Sequence, residues 1–377
     1  MLKPQSRHRD FPSLANRAYL NTAAEGVSPQ VVGEAIQRYF QDKLKGMDGR
    51  PAHHAEYHAL RGLAAQCYGL SVDEIGICSC TSEAYNLAAM ALSMREGDEV
   101  VVNDLEYPAG HTPWAQERCP ATVKVWRSRN GALHLDDLVP LLSKRTRLVP
   151  VSLVSFYNGF MVNVPRVSEV VRKNSPALVS VDVTQALGRI PLQLAGADLI
   201  VSSTHKWILG THGGCLVGVP EHCTDVFTAR AGGWFNLQDA FSPDRFDRPA
   251  VSQPGAASFA VGMPNFPACY ANRAALQCIL GVGIDRIHSH AQPLTLHCLR
   301  ELKKLPVEMI TPDNPDTLAG IVAFKHQSGA RLFEALHAKD IHVMHQARRL
   351  RVAIHGYNTA EDVERFLRTL KETLEHA

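Results

Sequence analysis

Ala197-Asp198-Leu199-Ile200-Val201-Ser202-Ser203-Thr204-His205-Lys206-Trp207 is the stretch on which the reading of this chain turns. An aliphatic run ends in hydroxyls, an imidazole and a lysine, and Gly210-Thr211-His212-Gly213-Gly214 then bends the chain. An unbroken β-branched and aliphatic run predicts a strand buried on both faces. Packing gives no reason for a lysine at its end, because lysine is rarely buried without a partner. Desolvation lowers an ammonium's proton affinity and leaves an amine able to add to a carbonyl. Taken alone, Lys206 also reads as a surface lysine just past a strand end.

The same kind of strand recurs on either side. Strands are predicted over 75–80, 99–103, 122–127, 147–154, 177–183, 197–202 and 214–219, with helices over 30–44, 53–68, 83–94 and 164–173. Apolar strands separated by helices predict an α/β fold with a mostly parallel sheet covered on both faces. Residues 231–267 are rich in Gly, Pro and aromatics and lack a clear period, so they read as a loop between domains that faces the active site. Beyond it, helices over 269–280, 290–303, 329–339 and 360–375 and strands over 318–324 and 350–354 describe a smaller α+β unit. The expected division is an N-terminal arm (1–18), a large domain (19–258) and a small C-terminal domain (259–377).

Composition narrows the function. The chain has 377 residues, 45% apolar and 20% charged, as soluble enzymes do. A net charge of +2 gives no basic field for nucleic acid. No apolar run reaches the roughly 18 residues of a membrane span. The first residues, Met1-Leu2-Lys3-Pro4-Gln5-Ser6-Arg7-His8, lack the apolar centre of a signal peptide. Nine scattered cysteines without a CxxC pair predict reduced thiols in a cytoplasmic protein and no metal site.

Other strand ends carry chemistry as well. Cys80-Thr81-Ser82-Glu83 joins a strand to a helix, and Thr81 and Ser82 fall where caps belong, beside N–H groups suited to phosphate. A plain capping box explains the same residues. Asp182, followed by Thr184-Gln185, ends the strand over 177–183, where an acid of a parallel sheet faces the ligand crevice. It also reads as a loop-capping Asp. Arg348-Arg349-Leu350-Arg351 offers a guanidinium for a carboxylate, or simply a solvated basic run.

In the order strand-Thr/Ser-helix, strand-Asp-x-x-Gln and strand-Ser-x-His-Lys, the chain resembles the class V aminotransferase family of fold-type I enzymes that use pyridoxal 5′-phosphate (PLP). Cysteine desulfurases, selenocysteine lyases and isopenicillin-N-epimerase-like proteins belong to it. The resemblance runs from Tyr19-Leu20-Asn21-Thr22-Ala23-Ala24 to Tyr357-Asn358-Thr359-Ala360-Glu361-Asp362-Val363. It implies a large domain with a seven-stranded sheet and a homodimer with active sites near the subunit interface. Lys206 matches the lysine that holds PLP and moves protons at Cα. Asp182 matches the partner of the pyridine nitrogen, and Gln185 the residue near the phenolic oxygen. Thr81 and Ser82 match the phosphate turn, completed by Ser203 and His205. Tyr107 falls where a ring stacks on the cofactor, or is a strand-end core aromatic. Asn158 falls near the substrate, and Arg351 matches the arginine that takes the substrate carboxylate.

Two departures shape the expected activity. Desulfurases carry a mobile cysteine upstream of the carboxylate arginine, but His342-Val343-Met344-His345-Gln346-Ala347 has none and the last cysteine is Cys298. Without a thiolate there, persulfide relay has no nucleophile, and desulfurase activity in the strict sense is rejected. Tyr107 also replaces the desulfurase His. In Gly262-Met263, Met263 stands where the family often has a threonine that reaches the partner's phosphate. The resemblance then implies an amino-acid enzyme working through an external aldimine and Cα deprotonation. The reading leans to β-elimination of the C–S lyase type, with transamination, epimerisation or an inactive PLP-binding protein as alternatives. A nicotinamide enzyme would need a GxGxxG turn after its first strand, with an acid about 20 residues on, and that turn is missing. A metal hydrolase on His53-His54-Ala55-Glu56-Tyr57-His58 lacks HExxH and a third ligand.

Overall fold

The computed structural model describes residues 1–376. Its strands in chain order are β1 (Ala18–Tyr19), β2 (Ile75–Cys78), β3 (Glu99–Asn103), β4 (Thr122–Trp126), β5 (Thr146–Ser152), β6 (Leu178–Asp182), β7 (Leu199–Ser203), β8 (Cys215–Gly218), β9 (Glu308–Met309), β10 (Ile321–Lys325), β11 (Ile341–His342), β12 (Met344–Gln346) and β13 (Arg349–Ala353). Its helices are α1 (Pro4–Asp10), α2 (Gln30–Lys43), α3 (Arg50–Tyr68), α4 (Thr81–Leu92), α5 (Pro108–His111), α6 (Leu135–Leu138), α7 (Val164–Asn174), α8 (Phe266–Val282), α9 (Ile284–Leu302), α10 (Gly329–Ala338) and α11 (Ala360–Glu375).

Seven strands form the central sheet in the order β2-β8-β7-β6-β5-β3-β4. Only β8 runs antiparallel to its neighbours. Strand alternation sends successive side chains to opposite faces, and both faces are buried. Leu199 and Val201 join Val100, Val102, Cys215 and Val217 under Ala84 and Ala88 of α4. Ile200, Val101, Val149, Val151 and Leu216 face the other way, against Leu60 of α3, Val167 and Val171 of α7 and Leu276 of α8. Each such aliphatic side chain contributes about 1.5–3 kcal/mol on burial, and together they fix the register that aligns the strand ends.

The second sheet, β12-β13-β10-β9, is antiparallel. It shares a core with α9, α10 and α11 through Val322, Phe324, Leu350, Val352, Leu299, Leu332 and Phe366. The N-terminal segment is tied to this unit: β1 pairs in parallel with β11, and Arg7 Nε donates to the Tyr357 carbonyl at 2.8 Å. Helix α8, which a division at 258/259 places with the second unit, packs instead against α2 and α3 and adds Phe266, Cys269 and Ala275 to the large core.

Predicted elements recur with ends moved by a few residues. The loop over 231–267 is irregular apart from an isolated bridge between Leu237 and Ser252, a short 3₁₀ turn at Gly255–Phe259 and the first residues of α8. The histidines of the HHAEYH run belong to the packing of α3. His53 Nδ1 meets the Tyr270 hydroxyl at 3.1 Å, and the His54 ring lies edge-on to Phe266.

Candidate active site

Three parallel elements end at one place. Helix α4 starts just after β2, β6 ends in Asp182, and β7 ends in Ser203 three residues before Lys206. Thr81, Tyr107, Ser152, Phe156, Asp182, Thr184, Gln185, Ser203 and Lys206 line a small cavity at those carboxyl ends, the position at which open α/β sheets bind ligands.

Lys206 is largely buried, and burial holds its ammonium below the usual lysine range; Asp182 opposes that shift, and Arg351 adds to it. Its Nζ lies 5.0 Å from the centroid of the Tyr107 ring. Gly26 donates its N–H to the His205 carbonyl at 2.8 Å, and a Cβ at this glycine would stand 2.1 Å from the Lys206 carbonyl oxygen. Only glycine lets the chain pass that close.

Asp182 is buried, and desolvation raises its pKa above the ordinary carboxylate value. Its Oδ1 accepts the Thr184 N–H at 2.7 Å, while Oδ2 has no hydrogen bond among the described residues. Thr184 in turn accepts the Ser203 N–H at 2.9 Å, so β6 and β7 are locked together at the site. Gln185 Oε1 accepts from Trp207 Nε1 at 2.6 Å, and its Nε2 donates to the Ala23 carbonyl at 3.0 Å. A second Nε2 hydrogen remains for the cavity.

The phosphate-type end is built from α4. The residue in the N-cap position is Cys80, not Thr81 or Ser82, and no side chain caps the helix. Thr81 and Ser82 therefore occupy its first turn, where free N–H groups and the positive dipole end favour an anion. Thr81 Oγ1 and Ser203 Oγ lie 3.3 Å apart. His205 is outside the cavity lining. Its ring stacks on His212 at 4.0 Å, and burial pulls its pKa down to about 4.

Arg351 is buried on β13, donates Nη1 to the Phe156 carbonyl at 2.8 Å, and is pulled down to about 9 by burial and by Arg349. Asn158 stands apart from the cavity. Its amide donates to Gly131 O at 2.7 Å and accepts from Phe160 N at 3.0 Å, while its carbonyl accepts the Thr311 hydroxyl at 2.7 Å. Those bonds hold the loop after β5 against the second unit. Phe156, two residues earlier, is the one that reaches the cavity, edge-on to Tyr107 at 5.0 Å. The glycine- and aromatic-rich loop over 231–267 does not line the Lys206 cavity. Val261, Gly262 and Met263 line a neighbouring pocket with Ser79 and Glu83.

Sequence reasoning missed Phe156, Ser152, Thr184 and Glu106. Glu106 is buried and accepts from Ser152 N at 2.7 Å, Tyr107 N at 3.0 Å and Asn103 Nδ2 at 3.1 Å, as well as from the Ser152 hydroxyl. It thereby fixes the backbone at two cavity residues. The adjacent Glu106-Tyr107-Pro108 was its one sequence signal. Two groups also bring metal-type ligand atoms within 4.8 Å of one another: Glu25, His205 and His212, and Asp198, His222 and Cys223. In the first, His212 Nε2 already meets Glu25 Oε2 at 2.9 Å. Asp198 of the second is engaged by Arg172 at 2.7 Å and by Val179 N at 2.8 Å.

The donor set fits PLP. A buried carboxylate with a free oxygen, a desolvated lysine, an aromatic ring beside it and an uncapped helix N-terminus with two hydroxyls match a pyridine nitrogen, an aldehyde, a ring face and a phosphate.

Comparison with known proteins agrees. A family model for Aminotransferase class-V matches residues 18–366. "Uncharacterized aminotransferase YcbU" of Bacillus subtilis is 25% identical over 96% of this chain and 95% of its own. A "Probable cysteine desulfurase" of Pyrococcus abyssi is 25% identical over 98% of this chain and 97% of its own. Among solved structures, the apo cysteine desulfurase from Thermococcus onnurineus NA1 superimposes with a TM-score of 0.90 at 23% identity, covering 100% of this chain and 99% of that one. The cystine C–S lyase C-DES, in complex with its product cysteine persulfide, gives 0.85 at 22% identity over 96% and 98%. At those identities the structural likenesses speak for the fold. With the family match spanning nearly the whole sequence, the chain belongs to the class-V aminotransferases, PLP-dependent enzymes of the lyase and aminotransferase type.

Proposed function

We propose that this enzyme is a lyase that eliminates a sulfur-bearing group from Cβ of an amino acid. The observation that carries the reading is the connection between β12 and β13. Gln346 pairs with Arg349 across a two-residue turn, and Ala347 (φ 52°) and Arg348 (φ 64°) both take left-handed backbone. That is the geometry of a tight hairpin. The segment upstream of Arg351 therefore has neither a thiol nor the length of a mobile loop, while the groups for chemistry at Cα are all present.

When bound, PLP supplies an aldehyde for the substrate amine and a ring that draws electrons from Cα. Asp182 Oδ2 holds the proton on the pyridine nitrogen. Thr81, Ser82 and Ser203 would hold the phosphate at the start of α4, and Tyr107 would offer its face to the ring. Lys206, whose ammonium form burial disfavours, would be the group that takes the proton from Cα. Arg351 fixes the substrate carboxylate, and Phe156 keeps water from that side. Cleavage of Cα–H and Cβ–S leaves the electron pair on sulfur, and water converts the remaining enamine to pyruvate and ammonia.

The name of the Bacillus subtilis relative supports a second reading, transamination. Incubation with S-substituted cysteines decides between them. Continuous release of pyruvate and ammonia is expected. One equivalent of keto acid per site, with the cofactor left as its amine, would mean transamination; Cα hydrogen exchange without product would mean epimerisation.

The protein is further read as a cytoplasmic homodimer. On α2 and the turn after it, Phe40 (57%), Leu44 (66%) and Met47 (70%) are exposed, an apolar row that a second copy would cover. Sedimentation should give twice the chain mass. No described helix is long and apolar enough to cross a membrane.

A further inference from the structure

Strand β13 carries two buried cations against Phe156, not one. Arg349 and Arg351 are separated by a single residue, so they leave the strand on the same face. They are 3% and 4% exposed. Arg351 Nη1 donates to the Phe156 carbonyl, and Arg349 Nη1 donates to the Tyr157 carbonyl, both at 2.8 Å. The Arg349 guanidinium lies 4.4 Å from the Tyr157 ring centre and 5.5 Å from that of Phe156. Phe156 is a wall of the Lys206 cavity, and both guanidiniums lean on that wall from outside the cavity lining, Arg351 through the Phe156 carbonyl and Arg349 through the ring.

Neither arginine is satisfied. The Nε atoms of both are buried without a hydrogen-bond partner. Neither forms an ion pair among the described residues. Elsewhere the fold neutralises buried charge: Asp198 meets Arg172 at 2.7 Å, and Glu99 meets Lys124 at 2.7 Å and Arg145 at 3.0 Å. Arg189, also buried without a carboxylate, spends its guanidinium on Ile354 O at 2.8 Å, Gln292 Oε1 and Thr295 Oγ1 at 3.2 Å, and His288 at 3.3 Å. Arg349 and Arg351 have one bond each, and Arg349 lies close enough to disfavour the charge on Arg351. Two adjacent uncompensated cations out of water are costly, and anions arriving there remove that cost.

A single α-carboxylate accounts for one of them. We infer that Arg349 forms a second anion subsite, and that the substrate's β-substituent carries an acidic group, a carboxylate or sulfonate, in addition to the α-carboxylate on Arg351. This inference rests on the proposed role of the cavity as the amino-acid site.

The test compares S-carboxymethyl-L-cysteine with its neutral isostere, S-carbamoylmethyl-L-cysteine, by pyruvate release from the holoenzyme. The acid should exceed the amide in kcat/KM by at least about tenfold, the scale of one charge-assisted bidentate contact. Arg349→Gln should bring the ratio to about one, and Arg349→Lys should restore part of it, since the charge remains but not the fork. Calorimetry with succinate and propionate on the same proteins reads the subsite without turnover. Succinate should bind more tightly than propionate, and Arg349→Gln should erase the difference. A wild-type ratio near one, or an Arg349→Gln variant that lowers both substrates with the ratio preserved, overturns the subsite. Discrimination for succinate without pyruvate from either cysteine derivative would keep the subsite and overturn the lyase reading.

Discussion

The amine of Lys206 sits 5.0 Å from the centre of the Tyr107 ring, and the same ring meets Phe156 edge-on at 5.0 Å and 90°. The aromatic pair thus walls the lysine on one side while Asp182 lies within the same cavity. An aromatic ring beside an amine attracts its ammonium form and offers a face on which a planar cofactor would stack.

Replacing Tyr107 tests that arrangement. Tyr107→Phe keeps the ring face and should retain the cofactor nearly as well as the wild type. Tyr107→Ala should weaken PLP retention roughly 2- to 30-fold, equivalent to about 0.5–2 kcal/mol for such a contact. Equilibrium dialysis of PLP checks it, and equal retention by all three proteins would remove Tyr107 from the site.

Asp182→Asn keeps the shape of the β6 end and removes the counter-charge. Its Oδ1 bond to Thr184 N can persist, so the protein should fold. Turnover should fall by about 10²–10³, as for loss of one preorganised electrostatic contact. A variant with wild-type kcat would show that the ring nitrogen needs no partner.

Asn158 gives a contrasting expectation. Its side chain and carbonyl are bound to Gly131, Phe160 and Thr311, so Asn158→Ala leaves buried groups unpaired. Unfolding in urea should show a loss of about 1–3 kcal/mol with KM little changed. A large rise in KM at unchanged stability would place Asn158 on the substrate after all.

Acid sensitivity should trace to His355. Burial holds its pKa near 3, against 6.5 for a free histidine. Its Nε2–H donates to the Trp207 carbonyl at 2.8 Å while Nδ1 accepts from Gly356 N, which requires the neutral ring. Between those two pKa values the unfolded chain binds a proton that the folded chain does not. Stability therefore falls as pH drops from 6.5 toward 3, and this histidine has no effect above 6.5. From pH 6.5 to 4.5 its share is about 2–3 kcal/mol. His355→Gln should flatten the urea-midpoint profile over that interval, and an unchanged slope would assign the acid loss elsewhere.

Lys206 and Asp182 were legible because each closes an apolar strand, and the parallel register brings strand ends together. Thr81 and Ser82 were legible as a helix start, but the cap position fell on Cys80, since the strand before it stops at Cys78. Phe156 was missed because its neighbour Asn158 has the more chemical side chain, and only tertiary packing turns that amide away. Arg349 was hidden in a basic run whose usual meaning is a solvated face. The β12–β13 hairpin gave no sequence signal, because Ala347 and Arg348 hold left-handed backbone without a glycine. Helix α8 lies on the large core although it follows the long loop, a pairing that local pattern does not encode.

The central claim is that Lys206 is the amine that holds PLP. Borohydride treatment of the purified holoenzyme, followed by peptide mass mapping, tests it most directly. The account predicts loss of the visible band and a reduced pyridoxyl group on the peptide containing Lys206, with Lys206→Ala unlabelled and inactive. Label on another lysine, or a Lys206→Ala protein that still turns over substrate, would contradict it.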